Sequence, residues 1–553
     1  LHVRSRRQRQ MCIRDSRYTT LQRAQLAKQE YLDTQDVFLA VYAPGRRASL
    51  EASLRDQLHR KFLLAEDLSS GSLGSARGVL LAKEDLSLMP TALSCFADAL
   101  RSGADYVTSD AVFGYAGATA LYHSPSFAAC PGCALVSREL LLRCLAEARD
   151  PGNPAELLTL AAKLNRNHIC LPLALAHYER DICAEDVWSM KGKRVFIMSH
   201  LLDMTGAPIV LVSAVPVLRS MGYEVVVLGP EDSGSMPLFL EAGAVVITRR
   251  GCVQSPLLWG LALCADFVLA NTVVEARAVR ALSGARVPVL WWLHDAFAGY
   301  PHIAHQIPKE LGENIRVYSV GSHAANAMHS VRPEFNIRPL IYGLPDYASE
   351  KFAHYDLSYA GGRPLFATVG SFENRKGQDI FCKAIRLLPP ETMKKASFLF
   401  VGKAAEPEMM DAVRSLTADF PDNVFYVKRL TRDEIKSLMA QCTCLVCASR
   451  DDPMPTFVTE GLIFGKPAIV SEHTGTAGLI TEGVDGFVYE DDDPEKLAER
   501  LAWAIDHPEK LAAMRQACRD LYERHYSKQA FADGLKQAVR ELTGESTLSL
   551  CQN

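Results

Sequence analysis

From residue 194 onward, short and nearly continuous apolar runs recur with helical segments between them, and this rhythm restricts the possible folds more than any other feature. RVFIMS (194–199), EVVVL (224–228), AVVI (244–247), FVLA (267–270), VLWW (289–292) and VYSV (317–320) do not alternate polar with apolar residues. Such runs mark strands covered on both faces. Helical stretches such as 208–220 separate them, which predicts a doubly wound parallel α/β sheet. A second series follows the loop IYGLPDY (341–347): PLFATV (364–369), SFLFV (397–401), VFYV (424–427), CLVCA (444–448) and AIV (468–470). Two similar Rossmann-like domains are therefore expected in tandem, over 192–345 and 346–545. Ligands of such sheets bind beyond the carboxyl ends of the strands, which places the expected crevice between the two domains.

Composition excludes several other classes. A chain of 553 residues has room for several cores. Its 60 Lys and Arg against 64 Asp and Glu leave a formal charge of -4, without the basic excess that nucleic acid would demand. The hydrophobic share of 48% is ordinary for a globular protein, and no run approaches the roughly 18 apolar residues of a membrane span. The 15 cysteines are scattered irregularly, which fits a reduced, cytoplasmic setting better than a disulfide framework. Cys130-Pro-Gly-Cys133 has no second ligand pair and reads as a turn, and Cys442, Cys444 and Cys447 read as small core residues. Residues 1–16, LHVRSRRQRQMCIRDS, are Arg-rich and aperiodic; they resemble translated adapter or vector sequence and are set aside.

Residues 17–188 are less regular. VLLAKEDLSLMPTALSCFADALRSGADYVTSD (79–110) predicts strand, turn, helix and strand, and HICLPLALAHYER ends the segment with another strand. This is too little for a complete doubly wound domain, so a partial module is expected.

The sharpest motif follows the strand CLVCA: Ser449-Arg-Asp-Asp-Pro-Met-Pro-Thr-Phe-Val-Thr-Glu460-Gly. Pro453 and Pro455 disfavour helix before them, and Thr456 is the expected N-cap of a helix that carries Glu460. Free N–H groups at such a helix start suit a diphosphate. Asp452 lies in the loop and Glu460 one turn into the helix, an arrangement that suits sugar hydroxyls and not a metal cluster. A second motif, Gly370-Ser-Phe-Glu-Asn-Arg-Lys-Gly377, follows PLFATV; Arg375 and Lys376 put positive charge where an anion would sit. The loop after RVFIMS runs from His200 to Gly206-Ala-Pro208, where Gly206 frees the backbone to approach a ligand and Pro208 suits a first helical turn. His294-Asp295 stands at the end of VLWW, also on the ligand edge.

Together, Asp452-x7-Glu460, GKPAIVSEHTGTAGLITEGVDGFVYEDDDPEKLAERL (465–501), VGSFENRKGQDIF, and the Gly206 and His294 loops resemble the family 4 glycosyltransferases of GT-B fold, over about residues 192–530. The resemblance implies a retaining transferase that uses a nucleotide-diphosphate sugar, with no metal and no cofactor beyond that donor. By this likeness Glu460 holds the ribose, Asp452 contacts the transferred sugar, Arg375 and Lys376 clamp the diphosphate, Gly206 lines the phosphate and acceptor side, and His294 sits beside the reacting sugar. Gly370, Met454, Pro455 and Thr456 complete the donor set. Two departures stand out: Asp452 replaces the family's first Glu, and Ser371 stands where an Arg often follows the glycine. The N-terminal segment in turn resembles the second half of family 2 glycosyltransferases of GT-A fold, in truncated and degenerate form. Only Asp85 still matches the expected metal motif, where Lys83 occupies an aspartate position; Glu84 and Asp85 together read as a solvated cap rather than a divalent-ion site, and the acid pair before the later helix reads Asn153-Pro-Ala-Glu156.

These features predict sugar transfer to a glycan or lipid-linked acceptor in surface polysaccharide and cell-envelope biosynthesis. No nucleic-acid partner is expected, and peripheral contact with the inner face of a membrane is expected only through a lipid-linked acceptor. The alternatives are a non-catalytic glycan-binding or scaffold protein and a GT-B sugar-nucleotide epimerase.

Overall fold

The computed structural model describes residues 36–44, 48–83, 86–115, 118–123, 132–178, 182–188, 192–249, 252, 259–490 and 492–544. The adapter-like residues 1–16, the Glu84-Asp85 pair and Cys130 lie outside them. The chain divides into two compact units, Leu1–Val289 and Leu290–Asn553.

In the first unit the expected strands form as Lys193–Ser199, Tyr223–Gly229, Val245–Thr248 and Phe267–Asn271. Phe267–Asn271, Lys193–Ser199, Tyr223–Gly229 and Val245–Thr248 are parallel neighbours in that order. Their middles, such as Val195, Phe196 and Ile197, are buried without interruption because helices cover both faces. The helix expected from 208 begins two residues earlier, as Gly206–Ser220.

The N-terminal segment continues this same sheet. Ala118–His123 pairs antiparallel with Val245–Thr248, through His123 opposite Val246. The path then runs through Tyr106–Tyr115, Cys133–Ser137, Gly78–Ala82, Leu39–Tyr42 and Phe62–Ala65. A buried polar chain reinforces the junction: His123 Nδ1 lies 3.0 Å from Asp110 Oδ2, and its Nε2 lies 3.4 Å from Thr248 Oγ1. The expected break between 188 and 192 thus falls inside one compact unit.

In the second unit Ile315–Ser319 pairs parallel with Ile337–Pro339. A separate sheet of six parallel strands has the order Val424–Val427, Ser397–Val401, Leu365–Val369, Cys444–Cys447, Ala468–Ser471, Gly486–Tyr489. Chain direction across the sheet reverses between Leu365–Val369 and Cys444–Cys447. That reversal is the topological switch point where open α/β sheets bind ligands.

Residues 290–345 group with the second unit because the C-terminal helix Lys528–Thr543 is built against them. Trp292 stacks on Phe531 with ring centres 5.6 Å apart, and the Leu344 N–H donates to the Tyr526 carbonyl. A Cβ at Gly343 would lie 2.8 Å from Phe531 Cβ, so only glycine permits that approach. Among the described residues no helix is long and apolar enough to cross a membrane.

Candidate functional site

Two loops meet at the switch point of the six-stranded sheet, one after Leu365–Val369 and one after Cys444–Cys447. Gly377 makes their meeting possible. It has φ 65°, and a Cβ there would fall 1.8 Å from the Ala448 carbonyl oxygen. The Arg450 N–H donates to the Arg375 carbonyl, and the Arg450 guanidinium forks onto Asp379 with two bonds of 2.8 Å. Arg450 also reaches the Asn374 carbonyl. A third loop closes in from the neighbouring strand Ser397–Val401, where a Cβ at Gly402 would lie 1.7 Å from the Gly370 carbonyl oxygen. At Gly370 itself a Cβ would meet nothing within 4 Å, so that side is open.

Lys376 and Asp452 face each other across this meeting point. Lys376 Nζ lies 2.5 Å from Asp452 Oδ2, with the carboxylate only 6% exposed. Arg375 turns instead to Glu373, at 2.9 Å, and the Ser371 hydroxyl donates to the same carboxylate oxygen. The two cations expected together therefore hold different carboxylates.

The loop from Asp452 to Thr456 is fixed on both sides. The Asp452 N–H donates to the His473 carbonyl, and the Gly475 N–H donates to the Asp452 carbonyl. A Cβ at Gly475 would fall 1.8 Å from the Pro453 carbonyl oxygen. The Met454 N–H donates to Asp452 Oδ1, while its buried thioether accepts from the Thr476 and Tyr526 hydroxyls, both at 3.4 Å. The Met454 side chain is therefore committed to these buried hydroxyls and packs as a wedge behind the loop. Pro455, not Thr456, is the N-cap of the helix Thr456–Ile463, and no side chain caps it. Thr456 is already helical and exposed; the buried Tyr342 hydroxyl points at its Oγ1 from 3.4 Å. Burial pushes the Tyr342 phenol up to about 12.

Glu460 lies one turn into that helix, buried to 4% exposure. Its Oε1 accepts from Arg432 at 2.6 Å. Arg432 begins the helix Arg432–Gln441, whose capping box joins Thr431 and Glu434.

His294 leaves the strand Val289–Leu293 and rests on Trp292, with ring centres 4.4 Å apart. The loop beyond it is held by Asp451. Asp451 Oδ1 accepts from His323 Nε2 at 2.7 Å and from the Phe297 N–H at 3.1 Å, and Oδ2 accepts from the Ala298 N–H at 3.0 Å. Burial alone would raise this carboxyl, but the His323 and backbone bonds outweigh it and hold it below its ordinary value.

In the first unit Gly206 is the first residue of its helix, and a Cβ there would meet nothing within 4 Å. Asp203 braces the turn before it by accepting from the Thr205 N–H and hydroxyl. His200 Nδ1 lies 3.1 Å from Thr272 Oγ1, and burial lowers the His200 imidazole. Thr272 itself carries φ 76°, a strained position for a β-branched residue. In the N-terminal segment the Glu156 carboxylate accepts from the Arg149 and Asp150 N–H groups, both at 2.9 Å. Among the described residues no group of three or more His, Cys, Asp or Glu could hold a metal ion.

The structure thus brings Gly370, Arg375, Lys376, Asp452, Met454, Pro455, Thr456 and Glu460 onto the loops and helix start at one sheet edge. Sequence reasoning missed Arg432, Asp451, His323 and Tyr342. The adjacent acids Asp451-Asp452 carried a partial signal, since two such residues beside two prolines are an unusual loop.

Comparison with known proteins finds glycosyltransferases. Residues 191–328 match the model of glycosyl-transferase family 4, and residues 351–521 that of glycosyl transferases group 1. A glycogen synthase of Pseudomonas syringae pv. syringae is 28% identical over 202 residues, covering 35% of this chain and 40% of that protein. An alpha-maltose-1-phosphate synthase of Mycobacterium tuberculosis is 26% identical over 198 residues, covering 35% of this chain and 49% of that protein. The aligned part therefore spans less than half the length of these relatives. Anabaena HepE, solved in complex with UDP, superposes with TM-score 0.52 at 17% identity, covering 63% of this chain and all of that one. A glycosyltransferase from Rickettsia africae superposes with TM-score 0.51 at 12% identity, covering 64% of this chain and all of that one. These likenesses establish the GT-B fold. The two family models match from residue 191 onward, beyond the N-terminal segment.

Proposed function

We propose that this chain, whose residues 191–328 and 351–521 are a glycosyltransferase pair of GT-B type, transfers a sugar from a nucleotide-diphosphate donor to a glycan or lipid-linked acceptor with retention of configuration. The observation that carries this reading is the Lys376–Asp452 pair at the switch point, 2.5 Å apart and directly before the helix that holds Glu460. In the free protein each charge satisfies the other. A bound donor offers both a better partner: its diphosphate takes the Lys376 ammonium and the N–H groups at the Thr456 helix start, and its sugar hydroxyls take the Asp452 carboxylate. Negative charge then develops on the leaving diphosphate where a cation and a helix terminus already stand, which is the main electrostatic demand of the reaction.

Glu460, braced by Arg432, suits the ribose hydroxyls. His294 would stand beside the reacting sugar and Gly206 would line the acceptor side. UDP-glucose is the first donor to test, because Anabaena HepE was solved with UDP-glucose. Surface polysaccharide or cell-envelope synthesis, at the cytoplasmic face of a membrane, is the setting this reading favours. For residues 17–188 the reading remains a degenerate family 2-like module without turnover, supported by Glu156, whose carboxylate is committed to backbone N–H groups.

Titration calorimetry with UDP and UDP-glucose tests the proposal, followed by turnover in Lys376→Ala and Glu460→Ala. Binding that both substitutions weaken supports it. Wild-type protein that binds no nucleotide diphosphate, or variants that transfer at wild-type rates, would overturn it.

A further inference from the structure

The Asp451 side chain links two loops that carry different parts of the proposed chemistry. Its three donors are His323 Nε2, the Phe297 N–H and the Ala298 N–H, at 2.7, 3.1 and 3.0 Å. Phe297 and Ala298 follow His294 on the loop leaving Val289–Leu293, and His323 is the second residue of the helix Ser322–His329. The next residue in the chain, Asp452, pairs with Lys376. The carboxylate is only 13% exposed and His323 only 7%, so the bonds form largely away from water. Close backbone approach supports the same junction: a Cβ at Gly321 would lie 2.7 Å from Met454 Cε, and one at Gly478 would lie 2.9 Å from Ser322 Oγ. Only a carboxylate accepts on both oxygens; an asparagine would turn an NH2 group toward one set of these donors.

We infer that Asp451 is a positioning residue, which locks the His294 loop to the Asp452 loop so that His294 is presented to the donor sugar. The inference rests on the donor reading above for what His294 faces, but the lock itself is a property of the free protein. Small displacements of a positioned group cost rate more than binding.

Amide hydrogen exchange on the full chain tests the lock without any ligand. In Asp451→Asn, exchange over residues 295–300 is expected to quicken about tenfold, as for a lost bond to a charged acceptor, while Leu365–Val369 keeps its protection. His323→Ala, which leaves the carboxylate in place, is expected to quicken the same segment less. With UDP-glucose consumption as the assay, Asp451→Asn is expected to lower kcat about tenfold with KM within about twofold. The variant His294→Ala/Asp451→Asn is expected to be no slower than His294→Ala alone, because one acts through the other. Unchanged exchange at 295–300, protection lost as far as Leu365–Val369, or losses that add in full would each overturn the inference. Wild-type protein that fails to bind UDP would overturn the donor reading, while the exchange result would still decide the lock.

Discussion

Lys376 Nζ lies 2.5 Å from Asp452 Oδ2, and the two residues stand on loops from adjacent strands whose order marks the switch point of the sheet. The ammonium is 20% exposed and the carboxylate 6%, so each lacks the water that would otherwise solvate it. On the proposed donor reading such a pair is held ready for exchange: an incoming diphosphate and sugar would take both partners together, leaving no buried charge unmet.

Lys376→Ala should therefore act in two ways. It leaves Asp452 buried without its cation, at a cost of about 1–3 kcal/mol that urea unfolding would show. On the proposed reading it also removes a charge-assisted bond to the diphosphate, lowering UDP affinity about ten- to a hundredfold by calorimetry. Adding Asp452→Asn to Lys376→Ala should restore most of the stability and none of the affinity, which separates the two effects.

Glu460 and Arg432 form the second pair, at 2.6 Å, with side-chain exposures of 5% and 66%. Because Arg432 stays largely in water, Arg432→Ala should cost only about 1–2 kcal/mol, less than breaking a wholly buried pair. Arg432→Ala/Glu460→Gln should recover that loss. Glu460→Ala should weaken UDP markedly but leave inorganic pyrophosphate binding unchanged, because its proposed contact is the ribose. Equal weakening of both ligands in competition measurements would remove Glu460 from the ribose site.

The strands were legible because each is buried on both faces: Lys193–Ser199 and Ser397–Val401 match the apolar runs within a residue. The loop position of Asp452 and the helical position of Glu460 were legible too, because prolines and spacing are local. What could not be read were the partners. Lys376 meets Asp452, Glu460 meets Arg432, and Asp451 meets His323 through pairings fixed by tertiary approach, up to 128 residues apart in the chain. The same holds for Ala118–His123 pairing with Val245–Thr248, since an antiparallel junction between distant segments leaves no periodic mark. Pro455 displaced Thr456 as the helix N-cap because the proline ring already sets the backbone angle that a cap requires.

Two glycines invite opposite outcomes. At Gly377, φ 65° and a Cβ position 1.8 Å from the Ala448 carbonyl mean that Gly377→Ala must move one of the two site loops. A loss of about 1–3 kcal/mol is expected on thermal unfolding, with weakened UDP binding. At Gly206 a Cβ enters open space at a helix start. Gly206→Ala should leave stability within about 0.5 kcal/mol. Any fall in transfer rate in that variant would then report contact with a ligand, not damage to the fold.

Glu275 gives the first unit a dependence on pH. It is 1% exposed, its Oε2 has no hydrogen-bond partner among the described residues, and burial pushes its carboxyl up to about 8. An unfolded glutamate ionises near 4.5, so between 4.5 and 8 the folded chain holds a proton that the unfolded chain has released. Stability is therefore greatest below 4.5 as far as this group is concerned, declines as pH rises through that window, and levels off above about 8. Glu275→Gln keeps the shape of the protonated acid and carries no charge at any pH. Urea unfolding at pH 5 and pH 8.5 should show the variant gaining on the wild type at the higher pH and losing that advantage at the lower. An equal difference at both values would mean that Glu275 is ionised in the folded protein and has found a cation.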